Sequence, residues 1–130
     1  MLYEKIFISH SSKDKQFARW ISVDLANSGH KPWLDEWDIK AGESIPKKIG
    51  EGLRECDFII VVLSESSVTS NWVEVEWQSK YWEEVQSGRV SVIPVLIADC
   101  EVPHLLMHKK YADFRYSYSD GYNDILLSIG

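Results

Sequence analysis

Six consecutive apolar residues, Phe58-Ile59-Ile60-Val61-Val62-Leu63, limit more than any other feature how this chain can fold. The run is too short for a globular helix and rich in β-branched side chains, so it reads as a strand. A strand with no polar face must be covered on both sides, as central strands of parallel sheets are. Lys5-Ile6-Phe7-Ile8-Ser9 and the segment from Val90 to Ile97 have the same character. Lys31 to Leu34 is a short second strand that Pro32 places at an edge, and Tyr111 to Phe114 is a short fifth.

Segments of helical period separate these runs. Lys13 to Ser28 carries Phe17, Trp20, Ile21 and Leu25 as one apolar stripe and stops at Gly29. Ser44 caps a helix with Pro46 in its first turn and Ile45, Ile49 and Leu53 on one side. Asn71 with Glu74 fits a capping box that opens a helix to about Gln86, ended by Gly88. Ser119 to Ile129 is a terminal helix, while Asp35 to Glu43 and Ser64 to Ser70 read as polar loops. Strand–helix alternation with right-handed crossovers gives a doubly wound α/β sheet. The expected fold is a flavodoxin-like three-layer sandwich, about five parallel strands with helices on both faces. With no repeat, linker or low-complexity tract, residues 1–130 form a single domain. Ligands of such sheets lie beyond the carboxyl ends of the strands, at the switch point, so the loops after the first three strands carry the functional question.

Composition excludes several roles. A net charge of -6 argues against a nucleic-acid surface, and the pairs Lys47-Lys48 and Lys109-Lys110 read as solvated. Met1 to Lys5 runs straight into a strand pattern, so no secretory leader is read. The apolar runs fall far short of the ~20 residues of a membrane span. Two cysteines, Cys56 and Cys100, provide neither a disulfide framework nor ligand spacing, and both read as reduced and half-buried. His104 and His108, four apart behind Pro103, read as loop surface, so no metal is expected. The location expected from these features is cytoplasmic.

Within the architecture, the loops discriminate between families. A phosphoacceptor receiver would need acidic residues after the first strand and an Asp ending the third. The chain has Ser9-His10-Ser11-Ser12 and Leu63-Ser64 there. A dinucleotide-binding Rossmann domain would need GxGxxG after the first strand, and no Gly precedes Gly29. Ser9, Ser11 and Ser12 fit a flavodoxin phosphate loop only loosely. Instead, Phe7-Ile8-Ser9-His10-Ser11 with Asp14 and Phe17, and Trp33-Leu34-Asp35 with Ile39, Ala41-Gly42 and Ser44-Ile45, follow another pattern. Phe58 to Ser64, Ser70-Asn71-Trp72-Val73 through Glu76, and Val92-Ile93-Pro94-Val95 continue it in order. Together these segments resemble a TIR domain over essentially the whole chain. The loop after the second strand, the BB loop of that family, lacks the Arg-Asp and Pro-Gly elements typical of animal adaptors and receptors. The resemblance therefore points to the bacterial, NAD-cleaving branch.

On a helix opening at Asn71, Val73, Trp77, Tyr81 and Glu84 share neighbouring headings, so the apolar arc centres near Trp77. Glu76 falls on its flank, one turn after Trp72 and one turn before Lys80. On the residues alone it is a surface carboxylate paired with Lys80. The resemblance to the Trp-x-x-x-Glu helix of TIR enzymes makes it the catalytic group. One carboxylate suffices for that chemistry. Ordinary glycosidases use two, because a sugar oxygen leaves poorly unless protonated. Nicotinamide is already a cation in NAD+ and departs neutral, so the remaining task is to orient and stabilise an oxocarbenium-like ribose.

Around Glu76, Trp72 supplies an aromatic wall or only packs half-buried at the helix start, and His10, Ser11 and Ser12 supply donors to ribose or phosphate. Asp35 is a further polar contact by resemblance and a turn-initiating residue otherwise. Gly42 and Ser44 let the BB-loop backbone approach a ligand, or Ser44 only caps its helix. Trp37, with Ile39, is the candidate for assembly, either exposed at an interface or folded back onto its own domain. The expected activity is NAD+ nucleosidase, with NAD+ as substrate and no cofactor, giving nicotinamide and ADP-ribose or a cyclic isomer. Homotypic TIR–TIR association, a fused or partner sensor or effector domain, and bacterial immune or cell-death signalling are what the resemblance implies. The alternative is a non-catalytic TIR module that scaffolds assemblies through its BB loop, with a nucleotide sensor that turns nothing over as a third reading.

Overall fold

The computed structural model describes residues 3–89 and 91–130. Met1, Leu2 and Val90, where the fourth strand was expected to begin, lie outside the described residues, as does the side chain of Trp72. Five parallel strands, β1 (Lys5–Ser9), β2 (Lys31–Trp33), β3 (Phe58–Leu63), β4 (Val92–Leu96) and β5 (Ala112–Asp113), are ordered β2-β1-β3-β4-β5. The Pro32 strand is at the edge, and the all-apolar β3 is at the centre. That order is the flavodoxin one, with its switch point between β1 and β3.

Strand alternation divides the core into two layers. Ile6, Ile8, Ile60, Val62, Ile93 and Val95 face α1 (Lys15–Asn27) and α6 (Tyr118–Ile129). Phe7, Ile59, Val61, Leu63, Val92 and Leu96 face α3 (Ile45–Glu55) and α5 (Asn71–Ser87). Close seating of α3 depends on Gly52, where a Cβ would lie 2.7 Å from the Trp33 ring. Trp33 in turn stacks on Phe7 at 4.6 Å between ring centres. Gly29 and Gly88 follow their helices at positive φ, as expected.

Several local expectations change. Trp20 is 55% exposed and leaves the stripe of α1 to Ala18, Ile21 and Leu25. The first turn after β1 is a 3-10 turn over Ser12–Asp14, so α1 starts at Lys15. Both polar loops contain a helical turn, α2 (Asp35–Asp38) and α4 (Glu65–Val68). In α2 the Trp37 and Asp38 amides donate to the Leu34 carbonyl, and the Asp38 carboxylate accepts from the Leu34 amide at 2.9 Å. In α4 a reciprocal capping box between Ser64 and Ser67 does the work. Ser70, rather than Asn71, caps α5, its hydroxyl accepting from the Val73 amide at 3.3 Å. Lys109 is not solvated: its ammonium lies 2.8 Å from the Glu84 carboxylate, both largely buried. Cys56 is buried rather than half-buried, and burial pushes its thiol up to about 11.

Candidate active site

β1 is apolar from Ile6 to Ile8 and ends on Ser9, which is fully buried. Alternation turns Ser9 to the same side as Phe7, towards α5. Helix α5 seats Val73, Trp77 and Tyr81 on that layer. Its inner stripe also carries a charged residue in each successive turn: Glu76, Lys80 and Glu84.

Glu76 is 6% exposed. The Ser9 hydroxyl donates to its Oε1 at 2.6 Å, while Oε2 takes no hydrogen bond among the described residues. Burial pushes this carboxyl up to about 7, with Asp35 adding to the rise and the Ser9 hydrogen bond and the His10 charge opposing it. The expected surface pairing with Lys80 is absent. Lys80 is buried as well and extends away, donating to the Cys56 carbonyl at 3.1 Å and meeting Glu83 at 3.2 Å. The apolar arc understated the buried one, because two charged side chains occupy inward positions beside Val73, Trp77 and Tyr81.

His10 also differs from the free donor expected of it. Its side chain is 4% exposed, with Nε2 3.2 Å from Asp35 Oδ1 and Nδ1 2.7 Å from the Ser11 carbonyl oxygen. Burial disfavours the charged ring, but the hydrogen bonds to Asp35 and Ser11 and the nearby carboxylates outweigh it and raise the ring's pKa. Asp35 is held below the usual carboxylate range, chiefly by the His10 hydrogen bond. Asp35 Oδ1 also accepts the Glu36 amide at 2.8 Å, leaving Oδ2 without a hydrogen bond among the described residues. Ser11 is engaged locally, donating to Asp14 at 3.2 Å and capping Lys13. Asp14 further receives the Ser64 hydroxyl at 2.5 Å, which ties the first loop to the third. Ser12 is exposed.

The structure thus joins Ser9, His10, Asp35 and Glu76 into one cluster at the carboxyl ends of β1 and β2. Gly42 and Ser44 are not among its hydrogen-bond partners. Gly42 holds a turn at φ +90° with open space where a side chain would stand. Ser44 caps α3 by accepting from the Lys47 amide at 3.4 Å. Trp37 is 44% exposed, whereas Ile39 is half-buried against the domain's own core. Ile39 is therefore not the free apolar group expected of an assembly residue. A cleft of about 390 Å³ runs along Thr69, Glu74, Trp77, Val102 and His104, and Glu76 is not in its wall. Among the described residues no three His, Cys, Asp or Glu side chains form a metal-holding group. None of their helices is long and apolar enough to cross a membrane.

Ser9 is the member of the cluster that sequence reasoning missed as a site residue. Its signal was a hydroxyl ending a strand buried on both faces, directly at the switch point.

Residues 6–127 match the family model described as a TIR domain. The chain belongs to the TIR domain family. This TIR domain is 38% identical over 90 residues to a protein from Bacteroides thetaiotaomicron named 2' cyclic ADP-D-ribose synthase BtTIR, covering 68% of the chain and 31% of that protein. It is 33% identical over 91 residues to a Paracoccus denitrificans protein named NAD(+) hydrolase PdTIR, covering 69% of the chain and 30% of the relative. The chain spans about a third of the length of the curated relatives it matches. Among solved structures, the TIR domain of the Toll-related receptor TRR-2 from Hydra magnipapillata superposes with a TM-score of 0.81 at 20% identity, covering 95% of this chain and 96% of that one. That likeness shares the fold alone.

Proposed function

We propose that this TIR domain cleaves the nicotinamide–ribose bond of NAD+, with Glu76 as the catalytic carboxylate. One observation carries the reading: a buried glutamate at the switch point has a single hydroxyl on one oxygen and no described partner on the other. An unneutralised buried carboxylate is costly, and such groups concentrate where charge is needed in a reaction. The relatives named as an NAD(+) hydrolase and a cyclic ADP-ribose synthase support the same substrate.

In the proposed reaction the C1′–N bond breaks and nicotinamide leaves with the bonding pair as a neutral molecule. Positive charge is left on the ribose C1′ and ring oxygen. Glu76 Oε2 meets a ribose hydroxyl and offsets that charge, while Ser9 fixes the other oxygen. Water attacking C1′ releases a proton and gives ADP-ribose; attack by a nucleophile of the ADP-ribose itself gives a cyclic isomer. Asp35 Oδ2 and the Ser12 hydroxyl are further contacts for the substrate, and Trp72 is the proposed wall beside the ribose.

Trp37 is proposed to seal the site of a neighbouring copy, since Glu76 lines none of the described clefts and Trp37 stands exposed. A contact of one loop on a different surface of the next copy is heterologous and propagates. Other domains of a longer protein, of the sensor or effector kind, would then control activity by controlling assembly, with cell-death signalling in bacteria as the proposed setting.

The test is nicotinamide release from NAD+ by concentrated protein, with Glu76→Gln alongside. We expect turnover in the wild type and a loss of about 10³-fold or more in the variant, the scale of removing a dominant electrostatic group. Near-native turnover by folded Glu76→Gln would refute the assignment. A dilution series with light scattering tests assembly: specific activity should fall on dilution and in Trp37→Ala. Constant specific activity from a monomer would refute that part alone. No turnover by assembled wild type would leave the scaffold reading.

A further inference from the structure

His10 sits between two oxygens that can only accept. Nδ1 faces the Ser11 carbonyl at 2.7 Å and Nε2 faces the Asp35 carboxylate at 3.2 Å. A neutral imidazole carries one N–H and satisfies one such acceptor; only the imidazolium satisfies both. The ring is nearly inaccessible, so water does not substitute for the missing donor. Neither nitrogen is therefore left over for a substrate, although His10 follows Ser9, the residue that holds Glu76.

We propose that His10 is a positioning residue: clamped as an imidazolium by the Ser11 carbonyl and the Asp35 carboxylate, it sets a fixed positive charge in the Glu76 cluster that favours the carboxylate form. Glu76 has no cation in contact among the described residues, since Lys80 is turned to Cys56 and Glu83. Among the described residues, His10 is the cation that bears on its charge, against the opposing carboxylate of Asp35. The groups facing His10 are Asp35 at the end of β2, Glu76 of α5 and the Ser11 carbonyl, and Lys15 of α1 acts on Asp35. The pair is neutral overall, yet its positive member bears more strongly on the Glu76 carboxylate than its negative member does. Charge is thus supplied without a lysine or arginine that would neutralise Glu76 by direct contact and occupy the oxygen meant for ribose.

The activity arm of the test rests on the proposed NAD+ cleavage; the spectroscopic arms do not. Ring ¹⁵N spectra should show both His10 nitrogens protonated at pH 7. The ¹³C titration of the Glu76 carboxyl should move to higher pH in His10→Gln, which keeps hydrogen bonding and removes the charge. Asp35→Asn should let the His10 ring titrate at or below the ordinary histidine range. Nicotinamide release by His10→Gln should fall about tenfold below pH 6.5 and return towards wild type by pH 9, the signature of an acid limb moved up by about one pH unit. A neutral ring at pH 7, an unmoved Glu76 titration in His10→Gln, or an equal loss of rate at every pH would overturn the proposal. If wild type releases no nicotinamide, the functional reading fails, and the two titrations still decide the role of His10.

Discussion

Helix α5 turns two glutamates inward two turns apart, Glu76 buried and Glu84 part-buried at opposite ends of the sheet, and treats them in opposite ways. Glu84 accepts from the Ser91 and Val92 amides at 2.9 and 3.1 Å and from the Lys109 ammonium at 2.8 Å. Burial would raise its pKa, but these partners together hold it below the usual carboxylate range. Glu76 receives one serine hydroxyl, and burial dominates. The same residue type on the same helix is a structural brace where its charge is fully answered and a candidate reactive group where it is not. Glu76 is the more deeply buried of the two and has the fewer partners, and the two differences act in the same direction.

The largest effect on stability should follow from breaking the brace. Glu84→Ala strands Lys109 and two amides, and we expect a loss of about 2–4 kcal/mol in denaturant unfolding. Nicotinamide release per folded molecule should not change. A loss below about 1 kcal/mol would erase the contrast between the two residues.

Glu76→Gln should have the opposite sign. The fold binds the Glu76 proton more tightly than the unfolded chain does, because the carboxyl is raised from 4.5 to about 7. This group therefore favours the fold below about pH 4.5, and that contribution is withdrawn as pH rises to 7. At pH 8 the cost of the buried charge is on the order of 3 kcal/mol, an upper figure once relaxation is allowed. Glu76→Gln should be more stable than wild type by about 1–3 kcal/mol at pH 8, with little difference at pH 5. Urea midpoints at the two pH values measure this, and a destabilised variant at pH 8 would contradict the account.

A smaller change should follow from Ser9→Ala, which frees Glu76 Oε1 and removes a hydrogen bond to a charged group, worth about 1.5–3 kcal/mol. We expect nicotinamide release at pH 7 to fall by about tenfold and its pH dependence to move upward. A wild-type profile would reduce Ser9 to packing.

The same contrast explains what could be read from the sequence. β1 and β3 were legible to the residue, because an uninterrupted apolar run has one solution in a doubly wound sheet. So was the order of the motifs that identifies the family. The site was legible as residue types at strand ends, and the cluster of Ser9, His10, Asp35 and Glu76 was not. Those residues are scattered along the chain, and only the sheet order brings them together. Helical periodicity put Glu76 on the flank, because it weighs apolar side chains and cannot see that Glu76 and Lys80 point inward beside Glu84. The short turns α2 and α4 were missed for a similar reason: their stability comes from side-chain caps such as Ser64 with Ser67, not from an apolar stripe.

The central claim is that Glu76 works as a carboxylate that its surroundings keep poorly compensated. The pH dependence of nicotinamide release by wild-type protein tests this most directly, measured as kcat/KM under conditions where the domain stays folded. The account predicts an ascending acid limb with its midpoint near pH 7, rising about tenfold per pH unit below it and level above. A rate that is flat from pH 5 to 8, or a midpoint near that of an ordinary solvated glutamate, would contradict it.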